Sequence, residues 1–144
     1  MNQHKLTVLV VEDENLLLQA ITRKLELNKM TAIPCQSGKD AIKLLNNLGE
    51  KPDIIWLDYY LKDMNGLEFM CSLKKNTKLA DILTIVVSNS ASSDKVRNML
   101  ALGVKKYYLK AENRLDDIIS TIKSMLEEKQ AANNNKTWET LKKS

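Results

Sequence analysis

The sequence predicts an α/β fold in which helices cover both faces of a parallel sheet, because five short apolar runs alternate with five helix-period segments. Such β–α repeats imply right-handed crossovers between parallel strands. A total of only 4 glycines and 2 prolines in 144 residues argues against a β-sandwich. The length fits one domain with an ordinary core.

The apolar runs bounded by turn-forming residues predict five strands, at residues 6–11, 31–35, 53–57, 82–87 and 106–109. Apolar residues at helical spacing predict helices at residues 14–27, 37–48, from 65 onward, 94–102 and 115–128. The face of the first helix that is expected to be buried consists of Leu16, Leu17, Ala20, Ile21 and Leu25. Ser37 is a good N-cap, and Gly49 and Gly103 are stop signals.

The order of the strands is less constrained than their number. A doubly wound sheet in the order 2-1-3-4-5 and a Rossmann order both accommodate five β–α units. We adopt the flavodoxin-like order 2-1-3-4-5. After Glu128 the apolar period stops, so we expect a domain at residues 1–128 and a tail or linker at 129–144.

Composition narrows the classes of function. Hydrophobic residues make up 44% of the chain and charged residues 28%, as in soluble globular proteins. No apolar stretch approaches the roughly 20 residues of a membrane helix, and residues 1–5 lack a signal-peptide core. We therefore expect a cytoplasmic setting without membrane contact. Residues 129–144 hold four lysines against one glutamate, and no aromatic–basic interleaving predicts direct nucleic-acid binding.

Cysteine and histidine chemistry is not expected. Cys35 and Cys71 are isolated in apolar contexts and are predicted to fill the core. The only histidine, His4, lies near the start of the chain, which argues against zinc or histidine-based catalysis.

Polar side chains follow four of the five predicted strands. The first strand runs into Glu12, Asp13 and Glu14, the third into Asp58, the fourth into Ser88 and the fifth into Lys110. In a doubly wound sheet these tips meet in one crevice. Carboxylates about 4 Å apart repel by on the order of 4 kcal/mol at an effective dielectric near 20, so a cation is expected among them. An all-oxygen set suits Mg²⁺, and the group as a whole suits a phosphoryl group on a carboxylate.

Each of these residues alone has a simpler explanation. An aspartate after a strand is commonly a cap or turn residue, and acids favour the start of a helix. The ordered set of acids, acid, serine and lysine at successive strand tips is what favours a site.

Four motifs in this set resemble the receiver domain of two-component response regulators over residues 4–128. They are VLVVEDE at 8–14, LDYYLKDMNG at 57–66, VVS at 86–88 and GVKKYYLK at 103–110. The resemblance implies that Asp58 accepts a phosphoryl group from a sensor histidine kinase or a phosphotransfer protein. It also implies that Glu12, Asp13, Asp58 and the backbone carbonyl of Tyr60 hold Mg²⁺.

The same resemblance assigns a switch. Ser88 and Lys110 are expected to contact the phosphoryl oxygens, and Tyr107 to turn inward when Ser88 moves. The expected consequence is a shift in the population of a partner-binding face. That face, formed by the fourth helix, fifth strand and fifth helix, is a possible homodimer surface. It carries the cations Lys95, Arg97, Lys105, Lys106 and Arg114.

The chain departs from the receiver pattern beside the site. Ala111 stands where the family usually has proline, and a cis bond without proline costs about 2.5–4 kcal/mol, so we predict a trans Lys110–Ala111 bond. Lys62 replaces a frequent proline. Tyr60 is bulky and Asn89 stands where small residues are common, so we hypothesise that both screen the phosphoryl group from water.

Three other functions compete with a phosphorylated regulator that turns over no substrate. A haloacid-dehalogenase-type phosphatase needs a second aspartate where Tyr60 stands. A flavin-binding domain needs a phosphate-binding turn where Glu12, Asp13 and Glu14 lie. A receiver-like interaction module without phosphorylation remains the alternative. The sequence leaves open whether the chain is a stand-alone receiver or a piece of a longer regulator.

Overall fold

Five parallel strands form one sheet in the order β2-β1-β3-β4-β5, which confirms the predicted fold. The computed structural model describes residues 5–142, so His4 and the ends of the chain lie outside the described residues. The strands are β1 Thr7–Val11, β2 Thr31–Cys35, β3 Ile54–Leu57, β4 Leu83–Ser88 and β5 Lys106–Leu109. The register pairs Val11 with Leu57, which aligns the carboxyl ends of β1 and β3.

Helices follow each strand: α1 Asn15–Leu27, α2 Gly38–Asn47, α3 Gly66–Lys74, α4 Ser93–Ala101 and α5 Leu115–Lys142. Three begin with a side-chain cap, in which Ser37, Asn65 and Ser92 accept a hydrogen bond from the backbone N–H three residues on. Gly103, just past α4, has φ of 98°, a left-handed conformation that glycine adopts without a Cβ clash.

Two apolar layers sandwich the sheet. On one face Trp56 and its neighbours pack against α1 and α5, and on the other Phe69 and Met70 pack with α2 and α4. The strand side chains from Val8 to Val11 and from Ile54 to Leu57 are at most 1% exposed. This burial on both faces explains why β1 and β3 have continuous apolar sequences, as is typical of central parallel strands.

Three predictions about burial and length were wrong. Leu16 is 77% exposed, and the buried face of α1 instead uses Leu18 with Ile21 and Leu25. Cys71 is exposed, so only Cys35 fills the core. The last helix does not end near Glu128, because α5 continues to Lys142. The assignment of residues 129–144 to a tail or linker stays a prediction.

The Lys110–Ala111 bond is trans, as predicted, since no cis peptide occurs within residues 5–142. Trp56 is buried in the core, as expected. Among the described helices, none is long and apolar enough to cross a membrane.

Candidate functional site

Three carboxylates meet at the carboxyl edge of the sheet. Oxygen atoms of Glu12, Asp13 and Asp58 all lie within 4.8 Å of one another. The parallel pairing of β1 and β3 continues one step beyond the strands, where the Asp58 N–H donates to the Val11 carbonyl at 3.0 Å. Glu12 and Asp58 are only 2% and 6% exposed. The fold therefore assembles the acidic group that the sequence predicted.

Lys110 supplies the positive charge beside these acids. Its Nζ lies 2.9 Å from Glu12 Oε1 and 3.6 Å from Asp58 Oδ2. The Lys110 N–H donates to the Ser88 carbonyl at 2.8 Å, which extends the β4–β5 pairing and fixes where the side chain starts. One cation thus faces two buried carboxylates, with Asp13 as a third acid nearby.

Burial and repulsion shape the protonation of this group. Burial, followed by a hydrogen bond and repulsion from Glu12, raises the pKa of Asp58 to about 8, and Lys110 opposes the rise. Burial acts to raise the pKa of Glu12 as well, but hydrogen bonds with Asp58 and Lys110 outweigh it and hold that pKa below its ordinary value. Asp58 therefore holds a proton more readily than a free carboxyl group does, and a cation bound beside it would oppose that protonation.

The hydroxyl side chains expected at the site lie on the neighbouring strands. Ser88 is fully buried at the end of β4, and its Oγ accepts from the Ser90 N–H at 3.4 Å. Tyr107 on β5 is half-buried, and its hydroxyl donates to the Ser90 carbonyl at 2.8 Å. The structure thus places Ser88 at the tip of β4, the strand that pairs with β3. The inward rotation of Tyr107 stays a prediction.

The loop from Tyr60 to Asn65, between β3 and α3, is held by two adjacent residues in its middle. Asp13 Oδ2 accepts from the Lys62 N–H at 2.8 Å. Asp63 accepts from the N–H groups of Gly38 and Lys39, at 3.1 and 2.9 Å, and so caps α2 from a distance. Sequence reasoning missed Asp63, because a cap supplied from another element leaves no local pattern.

A contact to Tyr60 was also missed. Its hydroxyl accepts from Ser90 Oγ at 3.2 Å and from the Lys95 ammonium. Asn89, which we expected to help cover the site, is exposed, and screening by Tyr60 and Asn89 stays a prediction.

The donor atoms fit a hard divalent cation. Carboxylate oxygens from Glu12, Asp13 and Asp58 are the ligand type that Mg²⁺ prefers, and an ion there offsets repulsion that Lys110 alone balances only in part. The Tyr60 carbonyl remains a predicted ligand. Such an ion would contribute positive charge, while the chain contributes the oxygens.

Comparison with known proteins agrees with this geometry. The profile of the response regulator receiver domain family matches residues 8–123, and the chain belongs to this family. It is 32% identical to the sensor kinase CckA of Brucella abortus over 121 residues, which are 84% of this chain but 12% of that protein. It is 28% identical to the two-component response regulator ORR5 of japonica rice, over 72% of this chain and 76% of the relative.

Solved structures show the same fold. The receiver domain of a putative Luxo repressor protein from Vibrio parahaemolyticus superimposes with a TM-score of 0.79 at 22% identity, covering 90% of this chain and 96% of that one. The Mn(2+)-bound form of response regulator Rcp1 superimposes with a TM-score of 0.71 at 26% identity, covering 82% and 91%. The chain is therefore a receiver domain of two-component signalling in family and in fold.

Proposed function

We propose that this chain is a phosphorylation-activated receiver that accepts a phosphoryl group on Asp58 in a reaction that depends on Mg²⁺. The observation that carries the proposal is the group formed by the buried Asp58 and Glu12 and the partly buried Asp13, with Lys110 in contact. Three acids placed this close together repel one another, and burying such charges lowers the stability of the fold. Their arrangement makes sense if cations and a phosphoryl group are what they bind.

The reaction follows from the chemistry of these groups. A phosphohistidine on a sensor histidine kinase or phosphotransfer protein is the proposed donor. An Asp58 carboxylate oxygen attacks phosphorus, the O–P bond forms, the P–N bond breaks, and the bond pair leaves with the imidazole. Asp58 must be ionised to attack, and Lys110 favours that form. Ser88 and Lys110 then hold the phosphoryl oxygens, and Mg²⁺, when bound, offsets their charge.

Two relatives support the parts of this proposal. The Rcp1 structure holds Mn(2+), a divalent ion that the acidic group of this chain also suits. CckA is a sensor kinase, which fits a histidine kinase as the phosphoryl source. A cytoplasmic setting, without direct nucleic-acid or membrane contact, belongs to the same proposal.

Mass spectrometry after incubation with acetyl phosphate tests the proposal. With Mg²⁺ the intact protein should gain the mass of one phosphoryl group, and EDTA should abolish the gain. Asp58→Asn should not be labelled. Asp63→Asn, which alters an exposed acid in the same loop and keeps one of the two oxygens that accept from the start of α2, should be labelled like the wild type.

Two results would contradict the proposal: an unlabelled wild type, or equal labelling of Asp58→Asn. The first would favour the alternative, a receiver-like interaction module that is not phosphorylated. A haloacid-dehalogenase-type phosphatase is disfavoured because Tyr60 stands where its second aspartate is needed. The receiver is also proposed to process only its own phosphoryl group, so added phosphate monoesters should not be turned over.

The partner-binding face is proposed on α4, β5 and α5. Its exposed cations include Arg97, Lys105 and Lys106, and β5 has a free edge. A homodimer through this face predicts that the phosphorylated protein doubles in mass by light scattering. Charge reversal at Lys106 should reduce that association, whereas a strictly monomeric phosphorylated protein would exclude the homodimer.

A further inference from the structure

Tyr60 bridges two of the loops that leave the carboxyl edge of the sheet. It lies two residues beyond Asp58, and its N–H donates to Asp58 Oδ1 at 3.4 Å. Its hydroxyl accepts from Ser90 Oγ, in the loop after β4, and from Lys95 Nζ, in the first turn of α4. Since β3 and β4 are neighbours in the sheet, this bridge spans the side of Asp58 that faces Ser88.

The aromatic rings extend the bridge to β5. The Tyr59 and Tyr60 rings meet edge to face with centroids 4.8 Å apart, and the Tyr59 and Tyr107 rings are 6.4 Å apart. Lys95 Nζ lies 5.5 Å from the Tyr59 ring centroid, and the Tyr107 hydroxyl donates to the Ser90 carbonyl. Tyr59 is 6% exposed, so packing holds its ring in place. Tyr60 is 40% exposed, so its position depends on the contacts of its hydroxyl.

We propose that Lys95 is a positioning residue that holds Tyr60 across the mouth of the site and so ties the start of α4 to the loop carrying the phosphoacceptor. A hydrogen bond from an ammonium is stronger than one between neutral groups, and Lys95 is only half-exposed, which limits screening by solvent. While the bridge is closed, water reaches Asp58 less readily from the Ser88 side. When it opens, the first turn of α4 loses a tether.

The part of this inference that concerns the phosphoryl group rests on the proposed function. We expect the rate constant of dephosphorylation to rise about threefold to tenfold in Lys95→Met and in Tyr60→Phe, as loss of one such hydrogen bond implies. Tyr60→Phe keeps the ring and removes only the hydroxyl. Because the two residues act through one contact, the double variant should be no faster than the faster single variant. Lys95→Arg should restore most of the wild-type rate.

A second measurement needs no phosphorylation. Hydrogen exchange of the amides in the first turn of α4, including Val96, should accelerate about threefold or more in Lys95→Met and Tyr60→Phe, since local opening reports the lost tether. Lys43→Met, which removes an exposed lysine from α2, is the matched control and should leave α4 exchange unchanged.

The two arms separate the inference from the proposed function. If Asp58 is not labelled but exchange accelerates as expected, the tether holds and the phosphorylation proposal fails. If Asp58 is labelled, dephosphorylation rates that are unchanged or additive in the two variants overturn the positioning role. Unchanged exchange in Lys95→Met overturns the tether itself.

Discussion

Trp56, inside strand β3, and Asp58, which follows the strand, are both buried, but burial has opposite effects on their contribution to stability. Trp56 is 1% exposed and Asp58 is 6% exposed, two positions apart. Burying the indole removes apolar surface from water and stabilises the fold. Burying the carboxylate beside Glu12 raises its pKa to about 8 and destabilises the ionised state. The central strands therefore provide stability, and the acids at their tips reduce it.

The largest effect on stability is expected from removing the buried indole of Trp56. Trp56→Ala should lower the free energy of unfolding by about 3–5 kcal/mol, because it leaves a cavity between the sheet and the layer of α1 and α5. Urea unfolding followed by circular dichroism measures the change. Trp138→Ala is the matched control, since Trp138 is 60% exposed, and it should change stability by less than about 0.5 kcal/mol. Equal losses in the two variants would refute the assigned packing.

The second prediction concerns a substitution that should raise the free energy of unfolding. Asp58→Asn should stabilise the metal-free protein by on the order of 2 kcal/mol at pH 8, because it removes a buried carboxylate from a like-charged group. The pKa of Asp58 is raised from 3.8 to about 8 on folding, so the unfolded chain loses its proton first. Wild-type stability should therefore fall, relative to the variant, as pH rises from about 4 to about 8, and the gap should level off above that range.

Thermal unfolding in EDTA across this pH range measures that gap. Adding Mg²⁺ should narrow it, because the ion would stabilise the wild type more than the variant. A wild type that is more stable than Asp58→Asn at pH 8 without metal would contradict the repulsion on which this prediction rests.

A smaller effect concerns the two halves of α5. Ile118, Ile119, Ile122 and Leu126 are buried, whereas nearly all of residues 127–142 are exposed. Ending the chain after Glu128 should change the free energy of unfolding by less than about 0.5 kcal/mol, while reducing the helical circular dichroism signal. This outcome would support residues 1–128 as the receiver domain and 129–144 as a tail. A large loss of stability would place the extension within the domain.

The smallest effect compares the two thiols and leaves stability unchanged. Burial raises the pKa of the Cys35 thiol to about 11, so only about 0.1% of it is ionised at pH 8 even where reagent can reach it. Cys71 is exposed on α3. Iodoacetamide should therefore label Cys71 first and Cys35 only after unfolding, as peptide mapping would show. Prior labelling of Cys35 would contradict its burial.

The sequence predicted the strands, the helices and the grouping of acidic side chains well where a pattern has only one structural interpretation. The strand tips at Glu12, Asp58 and Ser88 were predictable because parallel strands end at the same edge. The residues at the edges of the buried helix faces were predicted less well. Leu16 and Leu18 both fit an amphipathic period, and only packing against the sheet selects Leu18.

The sequence by itself determined the alternation of strands and helices, the apolar central strands and the order of acids, serine and lysine along the chain, because these follow from local period and residue chemistry. Tertiary structure decided the contact of Lys95 with Tyr60, the cap that Asp63 gives α2, and the exposure of Cys71. Each depends on how one element lies against another. Such contacts join residues distant in the chain and leave no periodic trace in it.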